Sequence, residues 1–86
     1  MPYIKKEDRK QFEAALTDLS NTLHSTSTPG DLNYIFSRIA NMYLSHGLKY
    51  QKINDVIGAL EGCKLELYRK VVVPYEEQKI KENGNI

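Results

Sequence analysis

Ile53-Asn54-Asp55-Val56-Ile57-Gly58-Ala59-Leu60-Glu61-Gly62-Cys63-Lys64-Leu65-Glu66-Leu67 decides how this chain folds. Ile53, Val56, Ile57, Leu60, Cys63, Leu67 and then Val71 recur at the spacing that lines one face of a helix of 3.6 residues per turn. The spacing predicts a helix that starts near Tyr50 to Lys52 and keeps its period to Val71. Val71-Val72-Val73 is β-branched and precedes Pro74. Read alone, the valines suggest a strand, but no second strand-like run exists to pair with them. A frayed or kinked helix end is expected instead. Pro74 then opens a short charged helix, Tyr75 to about Glu82, before a terminal turn at Asn83-Gly84-Asn85.

Upstream, the same period appears twice more. Phe12, Leu16, Leu19 and Leu23 share one face of a first helix, expected from Lys5–Glu7 to about His24, with Pro2 and Tyr3 as an extended lead-in. Ser25-Thr26-Ser27-Thr28-Pro29-Gly30 breaks the pattern, because Ser and Thr compete for backbone hydrogen bonds and favour caps and turns. Thr28 fits an N-cap, Pro29 a first helical position, and Asp31 the acidic place of a capping box. The second helix then carries Leu32, Ile35, Phe36, Ile39, Met42 and Tyr43 to about Ser45, and Gly47 is placed to end it with a left-handed backbone.

These elements predict an all-α fold in a single helical domain over residues 1–86. It is a small three-helix bundle or helical hairpin with a proline-kinked C-terminal helical extension. A chain of 86 residues buries only a little over ~60% of the surface its unfolded form exposes, so a homo-oligomer is expected. Hydrophobic residues make up 41% and charged residues 27%, the balance of an ordinary globular chain. The net charge of +1 and pI of 7.8 are far from those of a dedicated nucleic-acid binder. Cys63 is the single cysteine, which excludes an internal disulfide and favours an intracellular, cytoplasmic chain. No apolar run approaches a membrane span, and the charged N-terminus lacks a signal-peptide core.

Four constellations could carry chemistry. Gly58 and Gly62 stand inside the third helix, where glycine costs ~1 kcal/mol against alanine. They point to close packing, within or between chains, or to a ligand that approaches the backbone. Asn54, Gly58, Glu61, Leu65 and Tyr68 share a face with Gly58, beside the apolar one. The second constellation is aromatic and cationic: Tyr34 and Arg38 on helix two, Tyr68 and Arg69 on helix three, and Tyr75 and Lys79 after the proline. Tyrosine rings stack on nucleobases and arginine forks match phosphate oxygens. The plainer reading has the tyrosines at a core rim and the arginines paired with Glu61, Glu66 or Glu76.

The carboxylates Asp31, Glu61, Glu66, Glu76 and Glu77 form the third set. Glu61 and Glu66 lie on different faces, and His24 and His46 have no partner at ligand spacing, so no metal or cofactor is expected. Cys63 sits in the apolar stripe and is expected as a buried small hydrophobe. Fourth, Leu48 to Gly58 resembles the positioning helix of a helix-turn-helix. The chain continues past Gly58 with helical period and no turn chemistry, which makes DNA a poor partner.

Together, Met1-Pro2-Tyr3-Ile4, Gly30-Asp31-Leu32-Asn33-Tyr34, Asn54 to Glu61, Lys64 to Lys70, Pro74-Tyr75-Glu76 and Lys79 to Gly84 resemble a family of small uncharacterised bacteriophage and metagenomic proteins. That family carries no established activity. The resemblance implies a phage or prophage protein in the bacterial cytoplasm, and this chain has Asn85 where the family pattern suggests an acid. The expected function is a non-enzymatic binding module that sequesters an anionic, nucleotide-like ligand at a subunit junction, as phage sponges sequester cyclic-nucleotide immune signals. Asn33, Tyr34, Arg38, Tyr68, Arg69, Tyr75 and Lys79 are the expected ligand-binding residues. The tyrosines would stack on a base, Arg38, Arg69 and Lys79 would meet phosphates, and Asn33 would read a base edge or ribose. The alternative is a structural or protein-interaction module for a host or phage protein, since tyrosine and arginine also dominate protein hot spots. An all-α nucleotide pyrophosphohydrolase is the third reading.

Overall fold

A computed structural model describes residues 4–85, and every regular element in that range is helical. The lead-in expected at Pro2 and Tyr3 lies outside the described residues. Contacts group the chain into two units, Met1–Ile39 and Ala40–Ile86.

The first unit opens less regularly than its periodicity predicts. Two 3-10 turns, Lys6–Asp8 and Lys10–Phe12, precede helix α1, Glu13–Thr22. Their bonds reach three residues back: Asp8 to the Lys5 carbonyl at 3.0 Å, and Phe12 to that of Arg9 at 3.1 Å. The six residues from Lys5 to Lys10 are all charged. They bring no apolar side chain to a helical face, and a helix without such a face is marginal in water. The Gln11 side chain also bonds the Asp8 carbonyl at 2.9 Å. Leu23, expected inside the helix, is its C-cap with an extended backbone at ψ 137.

The loop after α1 is tied by its own side chains. Ser27 Oγ accepts from the His24 backbone N–H at 3.1 Å, while the Ser27 N–H donates to the His24 carbonyl at 2.9 Å. Helix α2, Pro29–Leu44, starts where the sequence places it. The capping box is formed: the Asp31 N–H donates to Thr28 Oγ1 at 3.1 Å, and the Thr28 N–H to Asp31 Oδ2 at 2.8 Å. Both orphan donors are satisfied by a pair three residues apart.

In the second unit α2 ends at Leu44, and Gly47 turns the chain at φ 141, a region that favours glycine. Helix α3, Tyr50–Leu67, begins after an extended Lys49. It is followed directly by a π-helical turn, Tyr68–Val72, and by α4, Val73–Asn83. The frayed or kinked end expected at the valines is this π turn, in which the Val73 N–H reaches the Tyr68 carbonyl five residues back. Pro74 explains it. A proline inside a helix has no N–H to give and its ring crowds the carbonyl four residues earlier. A wider turn just ahead absorbs both defects. Gly84 closes α4 at φ 82, its N–H on the Ile80 carbonyl at 2.8 Å.

No described side chain is buried. The stripes expected to form a core stand in solvent. Phe36 is 50% exposed on α2, Ile57 60% on α3, and Leu16 52% on α1. Cys63, expected to be buried, is exposed. Within each unit the contacts join elements consecutive along the chain, so the helical class is plain while no described element packs across the stripes.

Candidate functional site

The candidate residues fall in both units and are taken separately. In the first unit, Asn33, Tyr34 and Arg38 lie on α2 in the two turns after the capping box. One helical turn separates Tyr34 from Arg38, so their side chains meet. Arg38 Nη1 donates to Tyr34 Oη at 2.8 Å, and the guanidinium carbon lies 5.8 Å from the ring centroid. Tyr34 is 62% exposed. Ring and cation are both presented outward, and the arginine keeps further donors for an anion.

In the second unit, Tyr75 and Lys79 repeat that arrangement on α4. Lys79 Nζ lies 5.6 Å from the Tyr75 ring centroid, and Tyr75 is 63% exposed. Exposed contacts of this type are worth ~0.5–1 kcal/mol, enough to hold an orientation and not enough to lock it. Lys79 also approaches Glu82 at 3.8 Å. Tyr68 and Arg69 fall in the π turn, and there the plainer reading of the sequence applies to Arg69. Its guanidinium is paired with Glu66, which also takes Lys70 at 3.5 Å. An anion at Arg69 must therefore share that guanidinium with an existing carboxylate partner.

Two features escape sequence reasoning. Lys52 Nζ lies 5.4 Å from the Tyr43 ring centroid, a pair made across the loop between α2 and α3. Its separation of nine residues matches no helical spacing. A shallow hollow of ≈ 290 Å³ lies among Glu76, Lys79, Ile80, Asn83, Gly84 and Asn85. One helix and its capping turn make all of its walls, so it cannot enclose a ligand as a pocket does. It exists because Gly84 turns the chain back, and a positive φ cannot be read from a terminal Asn-Gly-Asn with certainty of direction.

The glycine pair is informative at Gly58. A Cβ built there meets no atom within 4 Å, so no described residue packs against this glycine. Helix α3 runs unbroken through it, which leaves no turn from which a DNA-reading helix could start. Among the described residues no group of three or more His, Cys, Asp or Glu side chains could hold a metal ion. No helix among them is long and apolar enough to cross a membrane. Comparison with curated proteins and with solved structures finds no match. Over residues 1–86 the chain matches the family described as Domain of unknown function (DUF6899), and it belongs to that family.

Proposed function

We propose that the chain is a helical binding module that works as an assembly of its own copies, whose apolar stripes cover one another. The observation that carries this reading is the exposure of every stripe. Large aliphatic and aromatic side chains stand in solvent on α1, α2, α3 and α4, and no described residue is buried. Burying such side chains is worth about 1.5–3 kcal/mol each, and helices this short have little stability alone. The near-balance of twelve basic and eleven acidic residues puts no charge barrier between copies.

The ligand favoured for the assembly is anionic and aromatic, of nucleotide type. Its support is the repeated unit of a tyrosine and a cation four residues on, at Tyr34–Arg38 and Tyr75–Lys79, with ring and charge both facing outward. A base stacks on such a ring while the cation meets its phosphate. In the bacteriophage setting that the motifs resemble, a cyclic-nucleotide immune signal in the bacterial cytoplasm is the natural ligand. A protein partner is the competing occupant of the same residues. The pyrophosphohydrolase reading gains no support from the carboxylates, which form no group of three or more among the described residues.

Native mass spectrometry with and without nucleotides tests the proposal. The expected result is a multimer of the 9.9 kDa chain that gains mass in nucleotide-sized steps. Arg38→Ala and Lys79→Ala should remove those steps while leaving assembly and helicity intact. A multimer indifferent to every nucleotide would give the surface to a protein partner.

A further inference from the structure

The π turn resets which face of α4 continues which face of α3. The backbone is right-handed helical at both of its ends, with φ -60 and ψ -43 at Leu67 and φ -62 and ψ -50 at Val73. Between them the Val73 N–H donates to the Tyr68 carbonyl five residues back, where an α turn reaches four. The turn takes up one extra residue. Every side chain of α4 therefore stands one position, roughly 100°, behind the place that a continuous α-helix would give it. In a continuous α-helix the seven residues from Tyr68 to Tyr75 would bring the two rings within about 20° of each other, and Lys79, eleven residues on from Tyr68, would join them. The setback breaks up that face. It leaves Tyr75 about 120° around the axis from Tyr68 and within about 20° of the row formed by Cys63 and Leu67.

We propose that Pro74 is a positioning residue: through the π turn it takes the Tyr75–Lys79 pair off the face of Tyr68 and sets it in line with Cys63 and Leu67. The inference rests on the nucleotide reading above and names the neighbours that the ligand meets. Tyr75 and Lys79 stay four residues apart within α4, so their own contact, 5.6 Å from Nζ to the ring centroid, is untouched by the setback. What changes is the surface around them. Toward α3 the ring is followed by exposed, apolar Leu67 and not by a second tyrosine. Toward the C-terminus it is followed by the Lys79 ammonium. A ligand at this pair lays one base on one ring, with an apolar side chain on one side and a cation for its phosphate on the other. Tyr68 belongs to a different face and takes no part.

The exposed native cysteine makes the facing measurable without a ligand. A nitroxide on Cys63, in isotope-labelled chains diluted with unlabelled ones so that the effect is read within one chain, should broaden the Tyr75 ring signals of the wild type. In Pro74→Ala, where Tyr75 turns about 100° away from Cys63, that broadening should fall about threefold, while that of Tyr68 stays the same. Equal broadening of Tyr75 in both chains would overturn the proposal. The second arm uses whichever of AMP, cyclic AMP and cyclic di-AMP binds the wild type most tightly. Pro74→Ala should bind it at least tenfold more weakly. Moving the pair back by one residue in the straightened helix, with Pro74→Tyr, Tyr75→Ala, Gln78→Lys and Lys79→Ala together, should restore binding to within about threefold of the wild type, a recovery that a merely structural role for Pro74 does not predict. Full binding by Pro74→Ala with its ring turned away, or no recovery in the shifted chain, would overturn the role of the facing in recognition. A wild type that binds none of the three would overturn the nucleotide reading alone, and the nitroxide result still decides what Pro74 positions.

Discussion

Pro29 and Pro74 sit at opposite kinds of place and show how one residue type can begin a helix or deform one. Pro29 is the first residue of α2, where a missing N–H costs nothing because no carbonyl lies behind it to be bonded. Thr28 and Asp31 complete the start with two reciprocal hydrogen bonds. Pro74 lies within a run that stays helical from Tyr50 to Asn83, so the same missing N–H leaves a carbonyl without its donor. The chain answers with the π turn at Tyr68–Val72. The first proline is supported by its neighbours in sequence. The second is tolerated by a change of helical pitch spread over the turn before it.

Replacing the second proline should have the largest effect. In Pro74→Ala the π turn loses its cause, α3 and α4 merge into one regular α-helix, and stability rises by about 1–3 kcal/mol at fixed protein concentration, short of the full ~3 kcal/mol cost of an interior proline because the π turn already absorbs part of it. Chemical denaturation with circular dichroism measures the gain, and backbone chemical shifts report the new register. Unchanged stability would assign the π turn to crowding among Val71, Val72 and Val73. At the other site, Thr28→Ala should destabilise by ~1 kcal/mol, and adding Asp31→Ala should cost less than the sum of the single changes because the two residues act as one box. Gly58→Ala should stabilise α3 by up to ~1 kcal/mol, since its Cβ meets open space. A loss there instead would mean that a second chain or a ligand approaches that backbone. Pro29→Ala should be the mildest, within about 0.5 kcal/mol, with the intact capping box still fixing where α2 begins.

The contrast also explains what could be read from residues alone. The T-P-x-D start of α2 is local chemistry, and every partner lies within four positions, so its geometry follows from sequence. The stripe on α3 is equally local: the helix starts at Tyr50 as the spacing predicts, while its regular α geometry ends at Leu67, one turn short of Val71. The passage through Val71 to Pro74 was legible as a disturbance, because proline in a helix must be accommodated. Its form was not, since a kink, a frayed end and a π turn all satisfy the same missing bond. The first helix shows the reverse case. Phe12, Leu16, Leu19 and Leu23 have helical spacing, yet the charged run before Phe12 has no apolar face and winds as 3-10 turns.

The candidate site divides in the same way. Tyr34 with Arg38 and Tyr75 with Lys79 meet because four residues is one helical turn, and both pairs were legible. The Arg69 pairing with Glu66 follows from the same rule. The Lys52–Tyr43 contact depends on the course of the chain through the Gly47 turn, which no spacing encodes. Burial was the least legible quantity. A stripe states that a face is to be covered, and Cys63 in solvent shows that it does not state by what.

Helicity measured as a function of dilution, with sedimentation equilibrium on the same samples, tests the account most directly. If the stripes are covered by other copies, the protein sediments as a multimer of the 9.9 kDa chain, and helix content falls in step with its dissociation on dilution. A 9.9 kDa monomer that keeps its full helicity at every concentration would contradict the account.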